Sequence, residues 1–145
     1  LSSAAADAQN WANPNGETAM SVVPYLTIPD GRANEAAAFY QKLFDAREGV
    51  RMPAEDGKRL MHCEMHFGGN AIYLSDNMMG RDGNSEYASV FVGFDKAAQV
   101  DALAAKAKAM GATITQEPQD MFWGDRFAMF VDPFGHRWQV GAPKG

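Results

Sequence analysis

A single cysteine, Cys63, is all the 145-residue chain has. It can form no disulfide within the chain, which fits a reducing compartment, and a cytoplasmic location is expected. Positive charge is scarce too: 13 Lys and Arg against 18 Asp and Glu leave a net charge of −5. That balance argues against nucleic acid or an anionic membrane as a partner, since both require basic patches. No apolar run reaches the ~20 residues that cross a bilayer. No positively charged segment followed by an apolar stretch opens the chain, so no signal peptide is predicted. The expected partner is a small molecule, with no nucleic acid and no membrane.

What is present is the composition of an ordinary globular domain, 46% hydrophobic and 21% charged. Residues 1–19, rich in Ala, Ser and Asn, read as an N-terminal extension or tail. Trp11 is expected to anchor it on the body or on a neighbouring subunit, and Met20 is a plausible original start. Residues 20–145 read as a single domain with a full-sized core.

The domain is organised around residues 124–140, GDRFAMFVDPFGHRWQV. Two apolar-rich runs flank Asp132-Pro133-Phe134-Gly135, where Asp bonds turn backbone, Pro presets φ and Gly tolerates positive φ, so a hairpin is predicted. Arg126, Arg137 and Gln139 stand where a plain core strand would carry apolar side chains.

Upstream, residues 21–28 alternate as a strand, with Pro24 favouring an edge position or a bulge. A helix is predicted over 35–45, capped by Asn34, with Ala36, Phe39, Tyr40, Leu43 and Phe44 as its apolar stripe. Strands are predicted at 50–52, 59–67 and 71–75. A polar loop over 76–85 follows, its Met78-Met79 pair read as a lid or a subunit contact. The order then recurs: a strand over 87–94, a helix over 96–110 capped by Asp95, a strand over 112–116, a loop over 117–120 and the closing hairpin. Two modules follow, about 21–76 and 86–141, each strand–helix–strand–strand–strand. The fold class is α+β. Each module makes a curved sheet with its helix on one face, and two of them side by side form a cup.

This order, with its local motifs, resembles the vicinal oxygen chelate (glyoxalase/bleomycin-resistance/dioxygenase) superfamily, and within it the PhnB-like group. The matching pieces are Val23-Pro24-Tyr25-Leu26, Ala38-Phe39-Tyr40-Gln41-Lys42-Leu43-Phe44, Met61-His62-Cys63-Glu64-Met65, Leu74-Ser75-Asp76 and Asp132-Pro133-Phe134-Gly135-His136-Arg137-Trp138. The resemblance implies paired βαβββ modules, a mixed-sheet cup with helices on its outer face, and commonly a homodimer. It also implies a divalent metal held from four strands. The corresponding positions here fall near Pro24 or Tyr25, near Leu74 or Ser75, at about Ser89, and at Gln139. None is a good ligand for Zn²⁺, Ni²⁺ or Fe²⁺, which take imidazole, thiolate or carboxylate. No metal and no cofactor are therefore expected.

With the parity set by the positions that match the family pattern, the resemblance and alternation together imply a lining of Tyr25, Thr27, His62, Glu64, Tyr73, Ser75, Ser89, Phe91, Arg137 and Gln139, with Trp123 and Arg126 near the mouth. That mixture suits a small polar or amphipathic ligand. His62 with Glu64 is the candidate for proton transfer. The competing reading is that the two satisfy each other within the sheet. His66 extends the row, which opens a third reading, a metal site outside the family pattern. Arg126 and Arg137 form either an anion clamp or ion pairs with Asp125, Asp132 or Glu64. Trp123 and Phe122 stack on a ligand or cap the core. Trp138 is expected in the core, and Cys63 to be inert on the helix side. The sequence leaves two functions open. One is a metal-free binding protein of the bleomycin-resistance type. The other is a metal-independent lyase, isomerase or transferase with His62 as general base and the arginines as clamp.

Overall fold

The computed structural model describes residues 21–80 and 87–145. Trp11, the rest of the tail and part of the 76–85 loop lie outside these. The chain divides into two compact units, the second beginning at Asp82. In the first, β1 (Tyr25–Ile28), α1 (Ala33–Phe44), β2 (Arg47–Pro53), β3 (Leu60–Phe67) and β4 (Asn70–Asp76) follow one another. The second repeats the order with β5 (Val90–Gly93), α2 (Ala97–Ala109), β6 (Thr113–Asp120), β7 (Asp125–Val131) and β8 (Arg137–Pro143). The sheets are ordered β1-β4-β3-β2 and β5-β8-β7-β6. The first pair of each is parallel and the others are antiparallel. These are paired βαβββ modules.

Each helix buries one stripe against one face of its own sheet. Ala36, Phe39, Tyr40 and Leu43 of α1 are buried, as are Leu26, Cys63, Met65 and Leu74 of the sheet. In the second unit Val100, Leu103, Ala104 and Ala107 of α2 are buried with Ala128, Phe130, Trp138 and Val140. Pro24 precedes β1, an edge strand, where its missing N–H costs no ladder bond. Its carbonyl accepts from the Tyr73 amide at 2.9 Å.

The helix caps differ from expectation. Asn34 does not cap α1: it lies inside the first turn, its amide donating to the Lys58 carbonyl at 2.9 Å and accepting from the Arg51 guanidinium. The start of α1 is held from a distance instead. Asp76, at the end of β4 and only 1% exposed, accepts from the Ala33 amide at 2.9 Å and, with its other oxygen, from the Leu60 amide at 2.7 Å. A carboxylate there also meets the positive end of the helix dipole. Asp95 does not cap α2 either, since the helix follows Lys96, whose amide donates to Gln99 Oε1 at 2.9 Å.

The loop expected over 117–120 is strand. Despite Pro118, β6 runs on to Asp120, because it is an edge strand and its pairing with β7 is irregular between Gln116 and Gln119. The hairpin turn forms as expected and gains a buried anchor. Asp132 Oδ1 accepts from the amides of Phe134 and His136, and Oδ2 from the Trp138 indole, all at 2.9 Å.

Cys63 is fully buried on the helix face. Desolvation, followed by the neighbouring Glu48 carboxylate, pushes its thiol up to about 12. The folded value exceeds the unfolded one, so the contribution to stability is complete below the ordinary thiol range near ~8.5 and is lost as pH climbs toward the folded value. Iodoacetamide at pH 8 should therefore leave Cys63 unmodified in the native protein and alkylate it in urea, as read by intact mass. Asp76→Ala strands two buried amides and should lower stability by about 3 kcal/mol, seen as a lower urea midpoint. Asp76→Asn, which keeps one acceptor, should lose less; an unmoved midpoint in both variants would remove Asp76 from its assigned role.

Candidate functional site

Strand register decides which side chains share the face away from each helix. In the first unit Tyr25 pairs with Tyr73 and Thr27 with Ser75, Tyr73 pairs with Glu64, and His62 with Met52. Paired residues project to the same side. Tyr25, Thr27, His62, Glu64, His66, Tyr73 and Ser75 thus occupy one face.

They are connected there. The Tyr25 hydroxyl lies 3.0 Å from His62 Nδ1, and His62 Nε2 lies 3.3 Å from Glu64 Oε2. His66 Nε2 stands 3.5 Å from Glu64 Oε1. That contact is within ion-pair distance but lacks hydrogen-bond geometry, leaving Oε1 buried without a hydrogen-bond partner. The Tyr73 ring packs edge-on against both His62 and Tyr25, with centroids at 5.0 and 6.1 Å. Ser75, though on this face, is buried and donates to the Asp76 carbonyl at 3.1 Å.

Gly49 carries no local signal that marks it out. Its φ is not in the left-handed region, yet a Cβ there would stand 2.6 Å from His66 Nε2. Glycine at this position is what lets the His66 ring lie on β2. The irregular pairing between Glu48 and Arg51 hides that contact from any reading by alternation.

In the second unit Val131 pairs with Arg137, Met129 with Gln139, Phe127 with Gly141, and Phe91 with Gln139. Arg137, Gln139, Met129, Phe127 and Phe91 therefore share the face away from α2. Gln139 Nε2 donates to Ser89 Oγ at 2.9 Å. Around them is a cleft of about 310 Å³ lined by Tyr87, Ser89, Thr115, Met129, Arg137 and Gln139 among others. Arg137 Nε is buried in it without a hydrogen-bond partner. Beyond Gln139 the face turns aromatic. The Phe91 ring lies across Gly141, 3.1 Å from where a Cβ would be, and Phe127 is 3.6 Å from the same point. Trp123 stands edge-on to Phe127 at 5.5 Å and to the exposed Phe122 at 5.1 Å, with its indole donating to Asp125.

The two arginines are not brought together. Arg126 pairs in register with Ala142 and shares the opposite face with Ala128 and Phe130. Its guanidinium is bound to Asp101 of α2 at 2.9 Å and to Asp120 at 3.4 Å. A joint clamp by Arg126 and Arg137 is thereby excluded. The ion-pair reading applies to Arg126, with partners other than those expected, because α2 supplies a carboxylate that is remote in sequence.

The residues at the metal positions do not fit a transition metal. Tyr25 is engaged by His62, Ser75 by Asp76, and Ser89 and Gln139 by each other. Phenol, hydroxyl and carboxamide groups make a poor donor set for such ions. Among the described residues no three His, Cys, Asp or Glu side chains are grouped to hold a metal, the His62-Glu64-His66 row included.

Comparison with known proteins agrees with the architecture. The model of the Glyoxalase/Bleomycin resistance protein/Dioxygenase superfamily matches residues 22–140. An uncharacterized protein of Mycobacterium bovis is 36% identical over 135 residues, covering 89% of this chain and 86% of its own. A counterpart from Mycobacterium tuberculosis has the same identity, with 76% of its length covered. Among solved structures, a Pseudomonas aeruginosa protein aligns with a TM-score of 0.76 at 24% identity, over 88% of this chain and 100% of that one. The PhnB protein of Bacillus cereus aligns at 0.73 and 18%, over 87% and 100%. The fosfomycin resistance protein FosX of Listeria monocytogenes, solved with Mn(II) and sulfate, aligns at 0.66 and 19%, over 87% and 93%. No helix among the described residues is long and apolar enough to cross a membrane. With its two βαβββ units and a family match spanning nearly all of both, the chain belongs to the glyoxalase/bleomycin resistance protein/dioxygenase superfamily.

Proposed function

We propose that the chain binds a small amphipathic organic anion on the open sheet face of its second unit, without a metal. Arg137 carries this reading. Its Nε is buried in the cleft with no hydrogen-bond partner, and no carboxylate among the described residues forms an ion pair with it. A buried donor left unpaired costs about 1–3 kcal/mol, a deficit that a ligand oxygen would remove. A carboxylate or phosphonate suits the planar guanidinium fork best.

The rest of the face supports the apolar half of the ligand. Ser89 and Gln139 satisfy each other beside Arg137, and Phe91, Phe127 and Trp123 continue the surface as aromatic contact area. Alternate strand residues are ~6.5–7 Å apart, so Arg137 and Gly141 span ~13 Å along β8. That length suits a bicyclic aryl acid better than an inorganic ion. The role assigned is binding or sequestration. FosX was solved with Mn(II), whereas here Ser89 and Gln139 satisfy each other, and the anion is gripped by the protein directly.

The test uses 2-naphthoate and inorganic phosphate as probes in thermal unfolding. 2-Naphthoate should raise the melting temperature in proportion to the logarithm of its concentration, and phosphate should do so far less. Arg137→Ala should weaken 2-naphthoate binding by about 10- to 100-fold, the loss of one charge-assisted contact of ~1.5–3 kcal/mol. Equal shifts in the wild type and the variant would overturn the assignment of Arg137.

A further inference from the structure

The first unit's open face carries an arrangement that simple binding does not need. Tyr25, His62 and Glu64 form an unbroken row from hydroxyl to imidazole to carboxylate, with contacts of 3.0 and 3.3 Å. The direction of its protons follows from chemistry. Glu64 as a carboxylate can only accept, so His62 Nε2 must donate to it. The neutral imidazole then presents a lone pair at Nδ1, and the Tyr25 hydroxyl, facing that nitrogen, donates into it. The lone pairs of Tyr25 Oη remain for an outside partner, and the residue is 49% exposed.

We infer that Tyr25 Oη is a proton-accepting group for a small molecule, passing its own proton on to His62, whose charged form Glu64 stabilises. In the step implied, a substrate O–H or a C–H beside a carbonyl gives its proton to Tyr25 Oη. The phenolic proton moves to His62 Nδ1, and the imidazolium so formed is stabilised by Glu64. No oxidant, metal or leaving group is involved, and the electron pair of the broken bond stays on the substrate. The substrate class is an enolisable carbonyl compound or a weak O–H acid. This moves the contact with substrate from His62, whose ring nitrogens are both engaged, to Tyr25. His62 and Glu64 become positioning residues.

The surroundings hold this geometry. Tyr73 packs against both rings, fixing their orientation. Glu64 is 8% exposed and is approached from its far side by His66, whose ring lies on Gly49. A buried carboxylate flanked by two imidazoles is a strong acceptor for the charge that the step places on His62. The inference stands on the first unit alone and does not depend on Arg137.

A phenol with a receiving base is also a nucleophile, which provides a test without a known substrate. p-Nitrophenyl acetate is the probe: Tyr25 Oη bonds to the acyl carbon, p-nitrophenolate leaves, and the phenolic proton passes to His62. Acetylation is followed at each tyrosine by peptide mass spectrometry. Tyr87, 99% exposed, serves as the reference phenol in the same molecule. Tyr25 should be acetylated at least tenfold faster than Tyr87 despite being half as exposed. His62→Ala should cut the Tyr25 rate at least tenfold, Glu64→Gln should cut it by less, and neither should alter the Tyr87 rate. In addition, the ¹⁵N spectrum of His62 should show an unprotonated Nδ1 in the wild type whose shift changes in Tyr25→Phe. A Tyr25 rate at or below that of Tyr87, or one unchanged in a folded His62→Ala variant, would overturn the proposal. A His62 protonated at Nδ1 would do the same even if Glu64→Gln failed to fold.

Discussion

The first unit depends on a carboxylate that water cannot reach. Asp76 closes β4 and holds, with separate oxygens, the first amide of α1 and the first amide of β3. Three segments distant in sequence are fixed to one point. The helix can lie on only one face of the sheet once its start is fixed there, and every residue on the other face is then committed outward. The second unit has an analogous anchor one strand earlier in its order, where Asp132 at the end of β7 gathers the hairpin turn and the Trp138 indole. In both cases a buried acceptor with several donors costs little to keep and much to remove.

That commitment is what makes the open faces chemical rather than structural. The helix faces hold the apolar mass: Leu26, Cys63, Met65 and Leu74 in one unit, Ala128, Phe130, Trp138 and Val140 in the other. The opposite faces are left to carry phenol, imidazole, carboxylate, guanidinium and carboxamide. The polar groups are nevertheless sorted. The first unit collects phenol, imidazole and carboxylate, and the second collects guanidinium, carboxamide and aromatic rings. Arg126 falls outside this division because its strand parity sends it to α2, where Asp101 neutralises it.

Much of this was legible in the sequence because two rules operate locally. Period-two alternation, with its parity taken from the family motifs, groups Tyr25, His62, Glu64 and Tyr73 on one face, and Ser89, Phe91 and Gln139 on another. Turn chemistry located the 132–135 hairpin. What could not be read was non-local. Asn34 has the right side chain for a cap, but Asp76, 43 residues from Ala33, holds the start of the helix. Residues 117–120 read as a loop, yet they continue an edge strand that accommodates Pro118. Arg126 and Arg137 looked like a pair from their types, and only the register of β7 and β8 shows that they face apart. Propensity describes a residue and its neighbours; partners supplied by another element do not enter it.

Gly49 has a consequence beyond its own strand. It has no turn to make and no left-handed backbone to justify it; the His66 ring simply occupies the volume its side chain would fill. Two positions 17 residues apart are therefore interchangeable only as a pair. In any lineage of this chain that replaces His66 by something small, position 49 is released to vary, and where the imidazole stays, the glycine must stay with it. Covariation between these two columns across relatives would record a steric debt that neither residue type reveals alone.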